Sequence, residues 1–273
     1  MSLRLLAAIA ASFLLLCTTT HAGPRRIVSL NLCADQYLIA LADPEQVASL
    51  SEYARDPSMS YYAERARAYP VAANAAEAVI TLRPDLVIVN RLRKQETQAI
   101  LKPRGYPTVE LRPARTFEDI VEQTRQIAAA IGHPDRGEAL IARMRAALAA
   151  IPPAGETRPV AAHYQRRGFI TGTGTLLDEI MTRAGLENLA GRLGKKAVSR
   201  VSLEEIVAAR PDYLLYSDRP APGTDLGTDL LLHPVLAARY GAGRQLHLPG
   251  ALTVCGGPSF PEAVAELYRQ AHP

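Results

Sequence analysis

Two stretches of the sequence, one in each half of the chain, match each other in order and spacing. They read Glu77-Ala-Val-Ile-Thr-Leu-Arg-Pro-Asp85-Leu-Val-Ile and Glu204-Glu-Ile-Val-Ala-Ala-Arg-Pro-Asp212-Tyr-Leu-Leu. In each, a glutamate opens a short amphipathic helix, Arg-Pro-Asp closes it, and an apolar strand follows. The duplication predicts two similar halves built from helix–strand units. A glutamate in a first helical turn is also an ordinary structural choice, so the repeat alone assigns it no further role.

Short β-branched runs alternate with helical stretches along most of the chain. The predicted strands of the first half are residues 26–30, 47–50, 85–89 and 108–111, and those of the second half are 160–164, 213–217 and 245–248. Because the connections between them are helical, these strands should pair in parallel.

The middle of the chain contains helix without strand. Thr116 is a helix cap, Gly132 breaks the helical pattern, and a second helical pattern runs to Pro152-Pro153. We therefore predict an α/β protein with two βα lobes of mostly parallel sheets, residues 23–115 and 153–273, joined by a long rigid α-helical bridge over residues 116–152.

The first 22 residues have the pattern of a signal peptide. Arg4 precedes an apolar run, residues 5–16, that is too short to span a membrane, and Thr20-His21-Ala22 offers a cleavage site before Gly23. A lipid anchor on Cys17 is not expected, because Leu16 stands where a lipobox has a small residue. The pattern predicts export to the periplasm.

Composition and motifs argue against several functions. The net charge of +4 comes without basic runs or interleaved aromatic residues, so no nucleic-acid partner is expected. Gly172-Thr-Gly-Thr, Asp35, Asp178 and Glu179 are the features that an enzyme hypothesis would use, but nucleotide-binding, hydrolase and zinc-peptidase motifs are missing, and we predict no enzyme. The histidines lack metal-ligand spacing, so no bare metal ion is expected either.

Several segments together resemble binding proteins of the helical-backbone metal-receptor superfamily, which serve ABC importers of cobalamin, ferric siderophores and heme. The resemblance covers nearly all of the mature chain. It is carried by both repeated elements and by three further segments, Ile27-Val-Ser-Leu-Asn-Leu-Cys-Ala-Asp35-Gln, Gly172-Thr-Gly-Thr-Leu-Leu-Asp178-Glu-Ile and Ala184-Gly-Leu-Glu-Asn188-Leu-Ala.

The resemblance implies a role and partners. It implies that Glu77 and Glu204 dock on basic residues of the importer's membrane permease dimer, which works with an ATPase, although Glu205 could share or take the second position. It also implies a monomeric receptor without a covalent cofactor. Its ligand would be a ferric siderophore or cobalamin, and the sequence does not favour one over the other. Heme ranks third.

The ligand is expected beyond the carboxyl ends of the strands, as in other open α/β sheets. Tyrosines would give flat walls and arginines would attract an anionic chelate. The candidates are Asn31, Leu32, Tyr53, Tyr61, Tyr62 and Arg91 in the first half and Tyr164, Gln165 and Arg166 in the second. His163, beside Tyr164, could also point into the cleft.

Removal of the signal peptide would leave two cysteines, Cys33 and Cys255, in an oxidising compartment. A disulfide between them would tie the two halves together beside the cleft. Two separate buried thiols are an equally good interpretation of the sequence.

Overall fold

The computed structural model describes residues 23–73, 75–90, 95–153, 155–217 and 226–273. The predicted signal peptide and Arg91 lie outside these residues. Within them, the chain forms two separate β-sheets, one from each half of the sequence, with a helical segment between them in the chain.

The first sheet has four parallel strands, ordered β2-β1-β3-β4. The strands are β1 (Ile27–Ser29), β2 (Val47–Ser49), β3 (Leu86–Asn90) and β4 (Thr108–Leu111). The helices of this half are α1 (Leu32–Leu41), α2 (Ala76–Leu82) and α3 (Gln95–Leu101). The central strands β1 and β3 are buried almost throughout, which explains their continuous apolar runs.

The bridge predicted from the sequence consists of two helices, α4 (Phe117–Ala130) and α5 (Pro134–Ala149). Arg125 pairs with Glu138 and Arg145 with Glu118, so the helices run antiparallel. Gly137 allows their close approach, because a Cβ atom there would lie 2.5 Å from the Cβ of Ala128. The bridge is therefore a packed helical hairpin rather than a single rod.

The second sheet is mixed, with the order β10-β9-β5-β6-β8 and β7 paired to β5. Its strands are β5 (Val160–Gln165), β6 (Phe169–Thr171), β7 (Glu187–Asn188), β8 (Val198–Arg200), β9 (Tyr213–Tyr216) and β10 (Gln245–His247). The helices are α6 (Leu176–Arg183), α7 (Leu189–Arg192), α8 (Leu203–Ala209), α9 (Leu226–Asp229), α10 (Pro234–Arg239), α11 (Gly250–Thr253) and α12 (Phe260–Ala271).

The sequence reading missed the antiparallel part of this sheet. After β5 the chain turns back within three residues and forms β6, which pairs antiparallel with both β5 and β8. Arg167 and Gly168 make this turn with φ angles of 59° and 75°, the left-handed region that a tight reversal uses.

The repeated element has the same helix end and the same kind of aspartate hydrogen bond in both halves. Arg83 and Arg210 end α2 and α8 in the left-handed conformation. The Asp85 carboxylate then accepts hydrogen bonds from the N–H groups of Arg25 and Arg26, at 2.7 and 2.9 Å, and Asp212 accepts one from Val160 N–H at 2.7 Å. In each copy, the aspartate ties its strand to the start of the neighbouring strand.

The two halves share one hydrophobic core. The last helix, α12, packs against α5 and α6, and Phe260 at its start stacks on Phe117 of α4 with ring centroids 5.4 Å apart. Residues from both sheets, the bridge and α12 belong to the same buried cluster. Within the described part of the chain, the helices are too short or too polar for any of them to cross a bilayer.

Candidate ligand cavity between the two halves

A cavity of about 570 Å³ lies where the first half, the bridge and the second half meet. This volume is within the range of small-molecule binding sites. The cavity is lined by Leu30, Asn31, Leu32, Cys33, Tyr53, Met59, Asn90, Leu111, Arg112, Pro113, Ala114, Gln123, Leu176, Thr253, Val254 and Gly256.

The start of α1 forms one wall of the cavity. Asn31 caps this helix, since its side-chain oxygen accepts hydrogen bonds from the N–H groups of Cys33 and Ala34 at 2.8 and 3.2 Å. The capping bond fixes the turn between β1 and α1. Asn31 and Leu32 line the cavity, in the position where the sequence placed them at the end of the first strand.

The mouth of the cavity carries two large apolar side chains that are exposed to solvent. Tyr53, in the loop after β2, is 44% exposed, and Val254, directly after α11, is 49% exposed. They belong to opposite halves of the chain and line the same cavity. Exposed apolar side chains that flank one opening are typical of a ligand site.

Charge in the cavity is sparse. Among the described residues that line it, Arg112 is the charged side chain, and the polar groups are mainly the amides of Asn31, Asn90 and Gln123. Gln123, on the bridge helix α4, donates from Nε2 to the backbone oxygen of Arg112 at 2.9 Å and so holds this segment against the bridge. Such a lining suits a ligand with a large apolar surface, amide or carbonyl groups and at most a modest negative charge.

The two halves are tied together at the base of the cavity. Cys33 and Cys255 form a disulfide across 222 residues of sequence. Next to it, the buried Tyr37 hydroxyl donates to the backbone oxygen of Gly256 at 3.1 Å. Gly256 permits tight packing, because a Cβ atom there would lie 2.6 Å from the Cβ of Ala114. These contacts hold the wall from the second half against α1.

Two of the tyrosines predicted for the cavity lie beside it instead. The Tyr61 hydroxyl donates to Glu262 of α12 at 2.6 Å, and Arg65 stacks on the ring of Tyr62 at 4.5 Å. Burial and the neighbouring Glu262 carboxylate raise the pKa of Tyr61. Tyr61 therefore connects the halves outside the cavity, whereas the contact between Tyr62 and Arg65 lies within the first half.

The candidates from the second half are also not among the cavity-lining residues. Tyr164 and Gln165 pair with Ile170 and Phe169 in the β5–β6 hairpin, and Arg166 begins the turn. Tyr164 is buried, with its hydroxyl donating to Val201 O at 3.3 Å. The prediction assumed that β5 ends in an open loop, whereas the hairpin directs these side chains elsewhere.

His163 lies inside the second half rather than in the cavity. Its ring nitrogens are 2.6 Å from the Thr171 hydroxyl and 3.1 Å from the Ser217 hydroxyl. Burial lowers the pKa of His163 to about 4. The ring is therefore neutral at physiological pH.

Tyr164 instead contributes to a second depression, of about 870 Å³, beside α8 and the β5–β6 turn. This depression is more open, and its lining belongs to the second half alone. The cavity shared by both halves is the better candidate for enclosing a ligand, because closure from two sides buries more of the ligand surface.

Three parts of the cavity wall were not predicted from the sequence. These are the segment after β4, the bridge residue Gln123, and Leu176 at the start of α6. The rule that ligands lie beyond strand ends would have included residues 111–114, because β4 ends at Leu111. Nothing in the local sequence marks Gln123 or Leu176, since their position depends on how the halves pack.

The two glutamates of the repeated element are both exposed and lie in the first turns of α2 and α8. Glu205 has a local role, because its carboxylate accepts from Ser202 N–H at 2.8 Å in a capping box. The pKa of Glu204 is lowered, chiefly by its own backbone N–H and by the Ser202 hydroxyl. Both carboxylates therefore have local partners at the start of α8, and Glu205 is the one that completes the capping box.

No cluster of three or more histidine, cysteine, aspartate or glutamate side chains capable of holding a metal ion occurs among residues 23–73, 75–90, 95–153, 155–217 and 226–273.

Two α/β halves that share a core and enclose a cavity are the architecture of a bilobed binding protein. Comparison with known proteins agrees with this class. The periplasmic binding protein family matches residues 27–247, and the chain belongs to that family. The family consists of binding proteins, and its members are periplasmic.

Three relatives illustrate the similarity. A cobalamin-binding protein of Halobacterium salinarum is 28% identical over 203 residues, which are 72% of this chain and 55% of that protein. A vitamin B12-binding protein of Pectobacterium carotovorum is 25% identical over 214 residues, 76% of each chain. The apo structure of the periplasmic heme-binding protein RhuT from Roseiflexus superposes with a TM-score of 0.75 at 28% identity, covering 92% of this chain and 100% of that one. The chain thus spans about half the length of the archaeal relative.

Proposed function

We propose that the protein is the substrate-binding component of an ABC importer, which captures a metal chelate in the cavity between its halves and delivers it to the membrane permease. The observation that carries the proposal is the cavity of about 570 Å³ with walls from both halves, few charges and several amide groups. The chelate belongs to the iron-siderophore or cobalamin type, and heme is the alternative. Residues 1–22 act as a signal peptide, and the mature protein works in the periplasm as a monomer.

A corrinoid is the first ligand to test, because two relatives are named for cobalamin and its amide side chains are complementary to an amide-bearing, weakly charged wall. Heme is the second candidate, since the 28% identical structure is a heme-binding protein and Tyr53 could supply a phenolate axial ligand.

The ligand is identified by titrating the purified mature protein with cyanocobalamin, ferrichrome and hemin, following absorbance and thermal unfolding. A true ligand raises the melting temperature by mass action. If none of the three binds, the proposed ligand class is wrong. Tyr53→Phe separates the first two candidates, because it should abolish a phenolate–iron absorption band but leave cyanocobalamin binding within about threefold.

Docking is proposed to use Glu77 and Glu204, one exposed carboxylate from each repeated element, against basic residues of the permease dimer. Two separated charges fix orientation as well as encounter rate, and the association should weaken with salt. Glu77→Gln with Glu204→Gln should leave ligand affinity unchanged but weaken binding to the reconstituted importer. Glu205→Gln is the matched control, because it removes a neighbouring charge that serves as a helix cap. Equal docking by the double variant and the wild type would remove both residues from the interface.

A further inference from the structure

One helical turn below the cavity lies a buried carboxylate. It has no part in the proposed docking and does not line the cavity. Asp35 is in the first turn of α1 and is fully buried. Both of its carboxylate oxygens accept hydrogen bonds from one residue, Ser51: one from the Ser51 N–H at 3.0 Å and the other from the Ser51 hydroxyl. Asp35 therefore holds both the backbone and the side chain of Ser51.

Ser51 is the first residue of the loop that carries Tyr53 and Met59 to the cavity. Ala54 N–H donates to Ser51 O, Asp56 N–H to Tyr53 O, and Met59 N–H to Asp56 O, each at 3.1 Å. The loop is thus a series of short turns, in which the first two overlap and the third starts where the second ends. The position of Ser51 consequently sets the positions of the two cavity-lining side chains.

The far side of the same loop has separate supports. Arg55 donates from Nη2 to Tyr69 O at 2.6 Å, and Leu50 forms an isolated bridge with Val71. The Ser58 carbonyl packs against the second half, 2.9 Å from the place where a Cβ atom on Gly250 would stand. Loss of the Asp35 contact should therefore loosen residues 51–60 in part, without releasing the whole loop or the rest of the chain.

A carboxylate in this place is costly. Burial raises the pKa of Asp35 to about 6, and hydrogen bonds from Ser29 and Ser51 only partly oppose the rise. Among the described residues, Ser29 and Ser51 are the hydrogen-bond donors that lower the pKa of this carboxyl, and no ionised side chain contributes to the shift. An apolar residue would avoid the desolvation cost but would leave the buried Ser51 N–H and hydroxyl without this acceptor.

We propose that Asp35 is a positioning residue for ligand binding, which fixes residues 51–60 through Ser51 and so holds Tyr53 and Met59 in the cavity wall. The inference rests on the proposed function, because it assumes that the ligand occupies this cavity.

The first test measures affinity for cyanocobalamin, or for hemin if the wild type binds hemin instead. Asp35→Ala should weaken binding about tenfold, the scale of one lost charge-assisted hydrogen bond. Asp35→Asn should cost less than about threefold, because an amide oxygen can still accept from Ser51 N–H. Ser51→Ala should lower affinity by an intermediate factor, and it replaces Asp35→Ala in this test if that variant does not fold. Ser49→Ala is the matched control, since Ser49 is an equally buried serine whose hydroxyl donates to Leu50 O.

A double-mutant cycle separates positioning from a general structural role. In the Tyr53→Ala, Met59→Ala double variant, Asp35→Ala should lower ligand affinity by less than about twofold, because the side chains that Asp35 positions are already absent. The same loss in both backgrounds would overturn the proposal.

Hydrogen exchange on the ligand-free protein gives a readout that does not depend on ligand identity. In Asp35→Ala, the amides of Ala54, Asp56 and Met59 should exchange faster, while those of β1 and β3 keep their protection. Unchanged exchange in the loop, or equal acceleration throughout the first sheet, would contradict the proposal. If the wild type binds none of the probes, the proposed function fails, and the exchange experiment still decides whether Asp35 fixes the loop.

Discussion

The two halves of the molecule contain the same helix–strand element but build different sheets around it. In both, an arginine in the left-handed conformation ends the helix, and an aspartate accepts backbone hydrogen bonds from the neighbouring strand. The first sheet is parallel throughout, whereas the second continues into the antiparallel strands β6 and β8. The element therefore specifies how one strand meets its neighbour and leaves the rest of each sheet to other residues.

The halves also differ in what they contribute to the cavity. The segments after β1, β2 and β4 and the last residue of β3 line it from the first half, whereas the second half supplies the start of α6 and the segment around the disulfide. The hairpin after β5 turns the second sheet's own strand end away from this site. Structural duplication has thus not been accompanied by equal sharing of the ligand site.

The largest effect is expected from separating the halves. Cys33→Ser with Cys255→Ser opens a covalent loop that spans 222 residues. On the chain-entropy model, the free energy of unfolding should fall by about 5 kcal/mol, measured by urea denaturation. Chemically reduced wild type is the control and should behave like the double variant. A loss below about 1 kcal/mol would mean that the shared core alone holds the halves together.

The second prediction contrasts one buried titratable group in each half. Asp35, with its pKa raised from 3.8 to about 6, stabilises the fold less as pH rises through this range. His163, with its pKa lowered from 6.5 to about 4, has the opposite effect, because acid favours the unfolded chain. Each contribution is about 3 kcal/mol, so the two should nearly cancel between roughly pH 4 and 6.5.

Single variants should uncover the two opposing contributions. Asp35→Asn should make the protein lose stability as pH falls from 6.5 to 4, whereas His163→Gln should make it gain stability over the same interval. Denaturant midpoints measured at several pH values test both. Parallel pH profiles for the two variants would contradict the assignment of opposite signs.

A smaller effect should distinguish the two copies of the repeated element. Among the described residues, Asp85 accepts two backbone hydrogen bonds, from Arg25 and Arg26, and Asp212 accepts one, from Val160. Asp85→Ala should therefore cost about 2 kcal/mol and Asp212→Ala about 1 kcal/mol of unfolding free energy. The corresponding asparagine variants keep an acceptor oxygen and should lose less. A larger loss of unfolding free energy for Asp212→Ala than for Asp85→Ala would show that the number of hydrogen bonds does not determine which aspartate stabilises the fold more.

Local patterns predicted much of the fold. β4 occupies Thr108–Leu111 as predicted, and the helix of the second repeat lies at Leu203–Ala209, between its opening glutamate and Arg-Pro-Asp. Both were predictable because periodicity, caps and Arg-Pro-Asp act over a few residues. The β5–β6 hairpin was missed because Arg166-Arg167-Gly168 was interpreted as an open loop. Its glycine between two apolar runs was the available signal.

The site was less predictable than the fold. Asn31, Leu32 and Tyr53 follow strands of the first sheet and line the cavity, as strand-end reasoning indicates. Gln123 and Leu176 meet in that cavity only through the packing of the bridge against the two halves, which no local pattern encodes. The docking role of Glu77 and Glu204 stays a prediction that rests on exposure and resemblance.

The most direct test of the central claim, that a chelate occupies the cavity between the halves, compares two valine-to-tryptophan variants. Val254 and Val198 are both exposed valines, at 49% and 61%, but only Val254 is a cavity-lining residue. Calorimetric titration with the ligand found for the wild type should show that Val254→Trp lowers affinity at least about a hundredfold, because the indole fills the mouth, and that Val198→Trp leaves it unchanged. Equal affinities of the two variants would place the ligand elsewhere.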